Sequence, residues 1–188
     1  MISVKKYFDY LKRRSLLGSF YRNYFLYPKL SKLLESKVLD IGCGIGDFLK
    51  FRPNTIGVDI NQNCVDWCNQ QGFEAKYMKI NSLPFLDSSF DSVMLDNVLE
   101  HIENPDLLLK EVNRVLKNKG IVVVAVPGIL GYAYDDDHKK FYSKNEIIST
   151  LDRNGFSNEF FFGMPFNLDF LSSKLRQYCI YARYIKKV

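Results

Sequence analysis

The feature that most constrains the fold is a short hydrophobic strand that runs directly into three closely spaced glycines. Residues 37–41 read Lys-Val-Leu-Asp-Ile, and Gly42, Gly44 and Gly46 follow at alternate positions. Glycines let the backbone turn sharply and approach a ligand, and the next helix then points its amino end into the same crevice. The spacing therefore predicts a strand, a ligand-binding turn and a helix, which is how a doubly wound α/β domain begins.

The chain continues as an alternation of β-rich runs and helical stretches, which is typical of a parallel sheet covered by helices on both faces. Strands are predicted at 37–41, 55–58, 75–78, 90–95, 121–126 and 156–162. A last apolar run at 178–185 suits either a seventh strand or a helix. Because the run at 121–126 is almost wholly apolar, we expect that strand to lie centrally and to be buried on both faces.

Helical patterns fill the intervals between these strands. They cover residues 61–71, 107–116 and 143–153, and one or two further helices precede residue 34. The second pattern is expected to end at Lys119-Gly120, and Gly128–Asp137 is predicted to be a loop. Ser143 and Glu146 have the spacing of a capping box at the start of the helical pattern 143–153.

The length of 188 residues fits one compact domain with a short extension. We expect a basic, aromatic helical cap over residues 1–34 and a ligand-binding domain over residues 35–188. Hydrophobic residues make up 47% and charged residues 25%, which excludes a disordered chain. Apolar runs shorter than the roughly 18 residues of a membrane span, and four cysteines without a CxxC pair, predict a cytoplasmic protein with reduced, mostly structural thiols.

Positive charge is concentrated at the two ends of the chain. Residues 1–37 carry nine lysines and arginines against two acids, and residues 170–188 carry five and no acid. Eight aromatic residues lie between positions 7 and 27. This mixture suits an anionic surface such as phospholipid headgroups, nucleic acid or a phosphorylated substrate, and it leaves open a membrane-surface contact through residues 1–30. The alternative is an amphipathic helix whose aromatic residues pack on the core.

The glycine turn differs from a dinucleotide-binding fingerprint. That fingerprint reads G-x-G-x-x-G, whereas here the three glycines alternate and Asp40 stands two residues before the first. An acid at this place would repel a pyrophosphate. It would suit the positive amino and sulfonium groups of S-adenosylmethionine, so the residues favour a cationic nucleoside ligand over NAD.

Four sequence motifs follow one another along the chain. Asp40–Gly46 reads D-x-G-x-G-x-G, Asp59 ends the second strand, Asn81–Phe85 follows the third, and Phe90–Ile102 contains the fourth strand and its loop. In these segments the chain resembles the class I S-adenosylmethionine-dependent methyltransferases, specifically the small-molecule group that includes ubiquinone-pathway enzymes. The resemblance covers about residues 37 to 162. It implies a doubly wound, seven-stranded, mostly parallel sheet and S-adenosylmethionine as cofactor.

The resemblance also implies where the cofactor binds. Asp59 would hold the two ribose hydroxyls, as suits a carboxylate at the carboxyl end of a strand. Asn81 would meet the adenine amino group, while Asp96 and Asn97 would contact the cofactor or cap the following loop. The full set of predicted cofactor-binding residues is Asp40, Gly42, Cys43, Gly44, Gly46, Asp59, Ile60, Asn81, Ser82, Leu83, Asp96 and Asn97.

Both histidines of the chain are candidate general bases. His101 follows the fourth strand, and His138 lies in a segment that resembles the D-H-x-x-x-[FY] stretch of relatives that methylate sugars and cell-envelope glycans. The alternative is that His101 caps a helix or satisfies a loop and that His138 packs structurally against Phe141. Some members of the class carry E-x-x-E-H and bind a divalent cation; here Glu100 and His101 match, but Asn97 replaces the first glutamate. Since an amide is a poorer ligand for a hard cation, we expect no metal.

These features together predict the type of reaction. We expect methyl transfer to an oxygen, or as second choice a nitrogen, of a small molecule, a sugar or a cell-envelope glycan precursor. A phosphate-linked acceptor would suit the basic ends. The alternatives are an RNA methyltransferase, less favoured because no binding domain is appended, and a non-catalytic scaffold partner that keeps the cofactor fold.

Overall fold

The computed structural model describes residues 4–13 and 15–188, with side chains from residue 8 onward. Residues 1–3 and 14 of the predicted cap lie outside the described residues. The described strands form one sheet in the order β3-β2-β1-β4-β5-β7-β6, with β7 antiparallel to both of its neighbours. They are β1 Val38–Ile41, β2 Thr55–Asp59, β3 Ala75–Tyr77, β4 Phe90–Asp96, β5 Leu116–Pro127, β6 Phe156–Met164 and β7 Cys179–Lys186. The predicted doubly wound, seven-stranded, mostly parallel fold is confirmed.

Helices connect these strands and cover them. The amino-terminal ones are α1 Val4–Lys12, α2 Leu16–Tyr21, a π-helical segment Arg22–Leu26, and α3 Tyr27–Leu33. The others are α4 Asp47–Phe51, α5 Gln62–Gln70, α6 Asp106–Val115, α7 Ile129–Ala133 and α8 Lys144–Arg153, with 3-10 turns at Leu99–His101 and Asp169–Ser173. The capping box of Ser143 and Glu146 begins α8 as predicted. No helix in the described part of the chain combines the length and apolar character that a membrane span needs.

The central strand β5 is buried on both faces, as its apolar sequence predicts. Its residues from Val122 to Val126 alternate between two cores because successive side chains of a strand point to opposite faces. Val122, Val124 and Val126 pack in the core that contains the buried residues of α6 and α8. The residues between them pack in the core that contains α3. Both faces of the sheet are therefore covered.

The amino-terminal segment is part of this second core. Leu26, Tyr27, Leu30 and Leu34 are buried there, together with Val38 at the start of β1. The boundary at residue 34 between cap and domain stays a prediction, since one core continues across it.

Three local predictions need correction or completion. The helix expected to reach Lys119 ends at Val115, because Leu116 already pairs with Phe90 in the sheet and Lys119 has a φ of 59°. The predicted loop after residue 128 contains the short helix α7, which packs on the turn 169–173. The last apolar run is a strand, because β7 pairs along β5 from Ile121 to Pro127.

Candidate active site

The candidate site lies at the carboxyl edge of the sheet, where β1 and β4 are neighbours and the chain order reverses. Open α/β sheets bind ligands in the crevice outside such a switch point. The loops after β1, β2, β3 and β4 meet there. We call the space bordered by these loops the cofactor crevice.

The glycine loop needs glycine for physical reasons at its ends. Gly42 has a φ of 75°, and a Cβ added to it would lie 2.8 Å from Val98 Cγ2. A Cβ on Gly46 would lie 2.9 Å from Cys68 Sγ. The Cys43 side chain is buried beside β2, since a Cβ on Gly57 would meet its sulfur at 2.6 Å. Only the backbone of Cys43 is therefore available to border the crevice.

Three carboxylates converge on the crevice. Asp40 is 4% exposed, and burial raises its pKa well above the usual value, with the charges of Asp96 and Asp59 adding to the increase. No lysine or arginine among the described residues forms an ion pair with Asp40 or Asp59. A positively charged ligand would relieve this repulsion. The prediction that Asp40 favours a cation therefore has an electrostatic basis.

Asp59 is held in place by backbone amides. Its Oδ2 accepts from Gly44 N at 2.9 Å, and its Oδ1 accepts from Asn61 N at 2.8 Å. Burial raises the pKa of Asp59, while these amide hydrogen bonds oppose the increase. Each carboxylate oxygen has a second lone pair. The carboxylate is thus fixed at the end of β2 and can still accept hydroxyl groups.

The loop after β3 offers one unsatisfied acceptor. Asn81 has a φ of 62°, and its amide oxygen is buried without a hydrogen-bond partner among the described residues. An adenine amino group would satisfy it. Ile60, with 56% of its surface exposed, can cover a flat ring. Ser82 is exposed, whereas Leu83 is buried and its N–H donates to Glu111 Oε2 at 2.9 Å, so Leu83 has a structural role here.

The loop after β4 is tied to the antiparallel strand β7. Asp96 Oδ1 accepts from Asn97 Nδ2 at 2.8 Å and from the Tyr181 hydroxyl at 3.3 Å. The Cys179 thiol donates to Asn97 Oδ1 at 3.6 Å. Asn97 adopts a φ of 56°, and both the nitrogen and the oxygen of its side-chain amide are hydrogen-bonded. The Asn97 amide therefore helps to orient the Asp96 carboxylate.

The amino-terminal helices close over the same edge. The Leu11 side chain is buried, and a Cβ on Gly44 would lie 3.2 Å from its Cδ1. Arg22 forms an ion pair of 3.5 Å with Asp47, the first residue of α4. The described part of the predicted cap is therefore placed against the glycine loop.

A second group of functional side chains follows β4 and β5 at this edge. Glu100, His101 and His138 each offer one ligand atom, and these atoms lie within 4.8 Å of one another. The two imidazole ring centres are 4.8 Å apart. Glu100 is 1% exposed, and neither carboxyl oxygen has a hydrogen-bond partner from another described residue. We call these three residues the Glu-His cluster.

Burial controls the protonation of the Glu-His cluster. It raises the pKa of Glu100 to about 8, and the charges of Asp96 and Asp135 contribute to the increase. It also lowers the pKa of His101, and the neighbouring charge of His138 lowers it further. The cluster therefore holds a neutral imidazole and a carboxyl group that titrates near neutral pH.

His138 is oriented by Tyr132. Its Nδ1 lies 2.9 Å from the Tyr132 carbonyl oxygen, and the two rings stack with centres 5.3 Å apart. Because a carbonyl only accepts, Nδ1 carries a proton, and the neutral form of the ring has its lone pair on Nε2. Nε2 lies 4.0 Å from Glu100 Oε1 and 3.9 Å from Asp135 Oδ2. An acceptor hydroxyl near Nε2 would find a proton acceptor.

The donor set also fits a divalent cation. Two neutral imidazoles and one buried carboxylate are common ligands for zinc and for the neighbouring transition metals. Asn97, which replaces the glutamate of metal-binding members, points instead to Asp96 and Cys179. Glu100, His101 and His138 would hold such an ion, and the expectation of no metal stays a prediction.

The sequence alone does not reveal every functional residue at this edge of the sheet. Tyr181 reaches Asp96 only because β7 runs antiparallel beside β5, and Tyr132 meets His138 only through α7. Neither tyrosine belongs to a recognisable motif. The one usable signal is Glu100, which together with His101 matches part of the cation-binding motif E-x-x-E-H.

Comparisons with known proteins agree with this fold. Residues 39–124 match a family described as a methyltransferase domain. A solved S-adenosylmethionine-dependent methyltransferase from Thermotoga maritima superposes with a TM-score of 0.76 at 20% identity, covering 100% of both chains. Residues 39–124 are therefore a methyltransferase domain, and the chain has the fold of the class I S-adenosylmethionine-dependent methyltransferases. This domain and this fold imply S-adenosylmethionine as the cofactor.

Several curated proteins are similar to part of this chain. Uncharacterized protein MJ1123 of Methanocaldococcus jannaschii is 34% identical over 135 residues, which are 66% of either chain. A ubiquinone biosynthesis O-methyltransferase of Pelagibacter ubique is 26% identical over 162 residues, covering 72% of this chain and 68% of that one. Other relatives are named as tRNA and sterol methyltransferases. The chain spans about half to two thirds of the length of its first curated relatives.

Proposed function

We propose that the protein transfers the methyl group of S-adenosylmethionine to a hydroxyl oxygen of an acceptor that binds beside the Glu-His cluster. The observation that carries this proposal is the buried Glu100 carboxyl, which lacks a partner from another described residue and lies 4.0 Å from His138 Nε2. A buried polar group without a partner is costly unless a ligand satisfies it. An acceptor hydroxyl is such a ligand.

The cofactor-binding residues are proposed from the crevice. Asp59 holds the ribose hydroxyls, Asn81 accepts from the adenine amino group, and Ile60 covers the ring. Asp40 and Asp96 favour the positively charged methionine portion. The loops of Gly42–Gly46 and Ser82 border the ligand through their backbone. When bound, S-adenosylmethionine supplies a methyl group that leaves its sulfur as the acceptor oxygen bonds to the carbon.

The proton of the acceptor hydroxyl goes to His138 Nε2 in this proposal. Tyr132 fixes the tautomer that leaves Nε2 free. Glu100 faces the imidazolium that forms, and its carboxyl group, once ionised above its pKa of about 8, stabilises that charge. His101 shapes the opposite side of the pocket as a neutral ring. A divalent cation held by the same three residues would lower the pKa of the acceptor hydroxyl.

The acceptor class is proposed as a small molecule, a sugar or a glycan precursor, with a phosphate-linked form favoured by nearby positive charge. Lys139 and Lys140 directly follow His138, and their backbone N–H groups donate to the Glu100 carbonyl oxygen at 2.8 and 3.1 Å. Lys174 and Arg176 follow the turn that packs on α7. These cations suit an acceptor that carries phosphate.

The experiment is a transfer assay with methyl-labelled S-adenosylmethionine against a panel of free sugars, phenols and sugar phosphates. Label should move to an oxygen of one panel member, and His138→Asn should stop the movement. Label that moves only to nitrogen would contradict the proposal. Binding of S-adenosylhomocysteine without any transfer would favour a non-catalytic scaffold.

RNA is the second candidate acceptor. The basic ends and the relatives named as tRNA methyltransferases support it. Binding through phosphates should weaken steeply as salt rises. A gel shift with transfer RNA over a salt series, together with label transfer to the RNA, would favour this candidate.

A further inference from the structure

An apolar ridge stands out on the amino-terminal helices. Leu16 is 91% exposed and Leu17 is 79% exposed, and α2 buries none of its residues. The other exposed members are Phe20, Tyr24 and Phe25. We call these five side chains the apolar ridge.

The ridge is separate from the core side of the same helices. Positions 16, 20 and 24 are four residues apart, which places them on one side. Phe20 contacts Tyr24 with ring centres 4.6 Å apart, so the ridge residues contact one another. Leu26 and Tyr27 are buried in the sheet core instead. Packing on the core therefore explains Tyr27 but leaves the ridge unexplained.

The segment that carries the ridge is positively charged. Residues 10–34 contain six lysines and arginines and no acid, and one of the six, Arg22, is paired with Asp47. Lys12, Arg13, Lys29 and Lys32 are exposed on the elements that precede and follow the ridge. A partner surface must therefore be apolar at its centre and negative around it.

The ridge belongs to the edge where the active site opens. Tyr21, which lies between ridge residues, is close enough to two residues of that edge to be affected by their charges. Burial raises the pKa of Tyr21 to about 12, and the charges of Cys179 and Asp96 contribute to the increase. Lys29 Nζ lies 3.7 Å from Met164 Sδ at the end of β6. The loop after β6 exposes Phe166 and Phe170 as well. Exposed apolar side chains are thus present on two neighbouring segments of one edge.

We propose that the apolar ridge docks the protein on an anionic lipid bilayer. Large apolar side chains enter the headgroup boundary, and the flanking cations contact anionic lipids. Leu16 and Leu17 distinguish this partner from nucleic acid, since aliphatic side chains provide no platform for base stacking. A second copy of the chain would bring two positively charged surfaces together. This inference does not depend on which acceptor is methylated.

Vesicle co-sedimentation of the full chain tests the proposal. Vesicles of phosphatidylcholine alone are compared with vesicles that contain about 30% phosphatidylglycerol. We expect tighter binding to the anionic vesicles, weakened by salt, and a loss of about tenfold or more in the triple variant Leu16→Ser, Leu17→Ser, Phe20→Ser. Leu86→Ser is the matched control, since Leu86 is 83% exposed in the loop before β4. Unchanged thermal unfolding would show that the triple variant is folded.

Four results would overturn the proposal. The wild type could bind equally to the two kinds of vesicle, or the folded triple variant could bind the anionic vesicles as tightly as the wild type does. The wild type could form a dimer, seen by light scattering, that is absent in the triple variant. The wild type could also shift transfer RNA in a gel where the triple variant does not.

Discussion

The cofactor crevice and the Glu-His cluster occupy the same edge of one sheet but satisfy their polar groups differently. In the crevice, Asp59 accepts two backbone amides, and Asp96 accepts from Asn97 and Tyr181. In the cluster, both oxygens of the buried Glu100 lack a partner from another described residue. The carboxylates of the crevice are therefore preorganised before the ligand arrives, although the Asn81 amide oxygen still lacks a partner there, whereas the buried carboxyl group of the cluster needs a ligand to complete it. Binding of the cofactor and transfer of the methyl group should be separable by mutation.

The largest expected effect separates the two regions directly. Above pH 8, where Glu100 is ionised, His138→Asn and Glu100→Gln should each lower kcat by about 100- to 1000-fold, because they remove the proposed base or the charge that stabilises its protonated form. The dissociation constant of S-adenosylhomocysteine should stay within about twofold. Both are measured with the acceptor that the panel identifies, and Glu103→Gln on the exposed neighbouring loop is the control. An equal loss of cofactor affinity would mean that the two regions are one site.

The pH dependence of stability tests the cost of the unsatisfied carboxyl. The folded pKa of Glu100 is raised to about 8, above the 4.5 of an ordinary glutamate. Between these two pKa values the folded state binds a proton that the unfolded state has lost. Glu100 therefore stabilises the fold at low pH, and this stabilisation is lost as pH rises from about 5 to about 8. Glu100→Gln should therefore gain stability relative to the wild type over this range. Denaturant unfolding at pH 5 and pH 8 measures the difference in free energy of unfolding between Glu100→Gln and the wild type. A difference that shrinks towards pH 8 would contradict the raised pKa.

Asn81→Ala sharpens the comparison inside the crevice. Loss of one buried hydrogen bond to the adenine amino group should weaken S-adenosylhomocysteine binding by about tenfold. S-inosylhomocysteine, which lacks that amino group, should bind the wild type and the variant alike. Calorimetric titration measures both ligands, with Asn63→Ala on α5 as the exposed control. If the variant weakened both ligands equally, the loop after β3 would contribute shape and no specific contact.

The smallest expected effect concerns the support of Asp96. Tyr181→Phe removes only the hydroxyl that lies 3.3 Å from Asp96 Oδ1. Asn97 still donates to the same oxygen, so affinity for S-adenosylhomocysteine should fall by only about two- to threefold. The same calorimetric titration gives this value. A much larger loss would show that β7, and not the loop after β4, positions the carboxylate.

The crevice was predictable because its chemistry is local in sequence. Gly42 and Gly46 follow a strand directly, and Asp59 ends the next one, so backbone geometry and residue type suffice. The sheet was predictable for a similar reason, since β5 is apolar on both faces. Asp40, Asp59 and Asn81 all lie where the pattern places them, although their roles toward the ligand stay predictions.

The acceptor side was not predictable in the same way. Glu100 and His138 are 38 positions apart and meet only through the fold. Tyr132 orients His138 from a helix that the sequence did not reveal, because five residues without a capping side chain give little signal. The end of α6 was misplaced since pairing of Leu116 with Phe90 outweighs local helix propensity. Long-range packing decides these features, and a single sequence does not display it.

Thermal unfolding with S-adenosylhomocysteine tests the central claim, that this crevice is an intact cofactor site, most directly. At about 100 times the dissociation constant, the ligand should add about 2.7 kcal/mol, which is a shift of about 5 to 10 °C for a chain of this size. The shift should be absent with NAD, lost in Asp59→Ala and kept in Asp66→Ala, whose side chain is exposed on α5. No shift at saturating ligand, or the full shift in Asp59→Ala, would contradict the site described above.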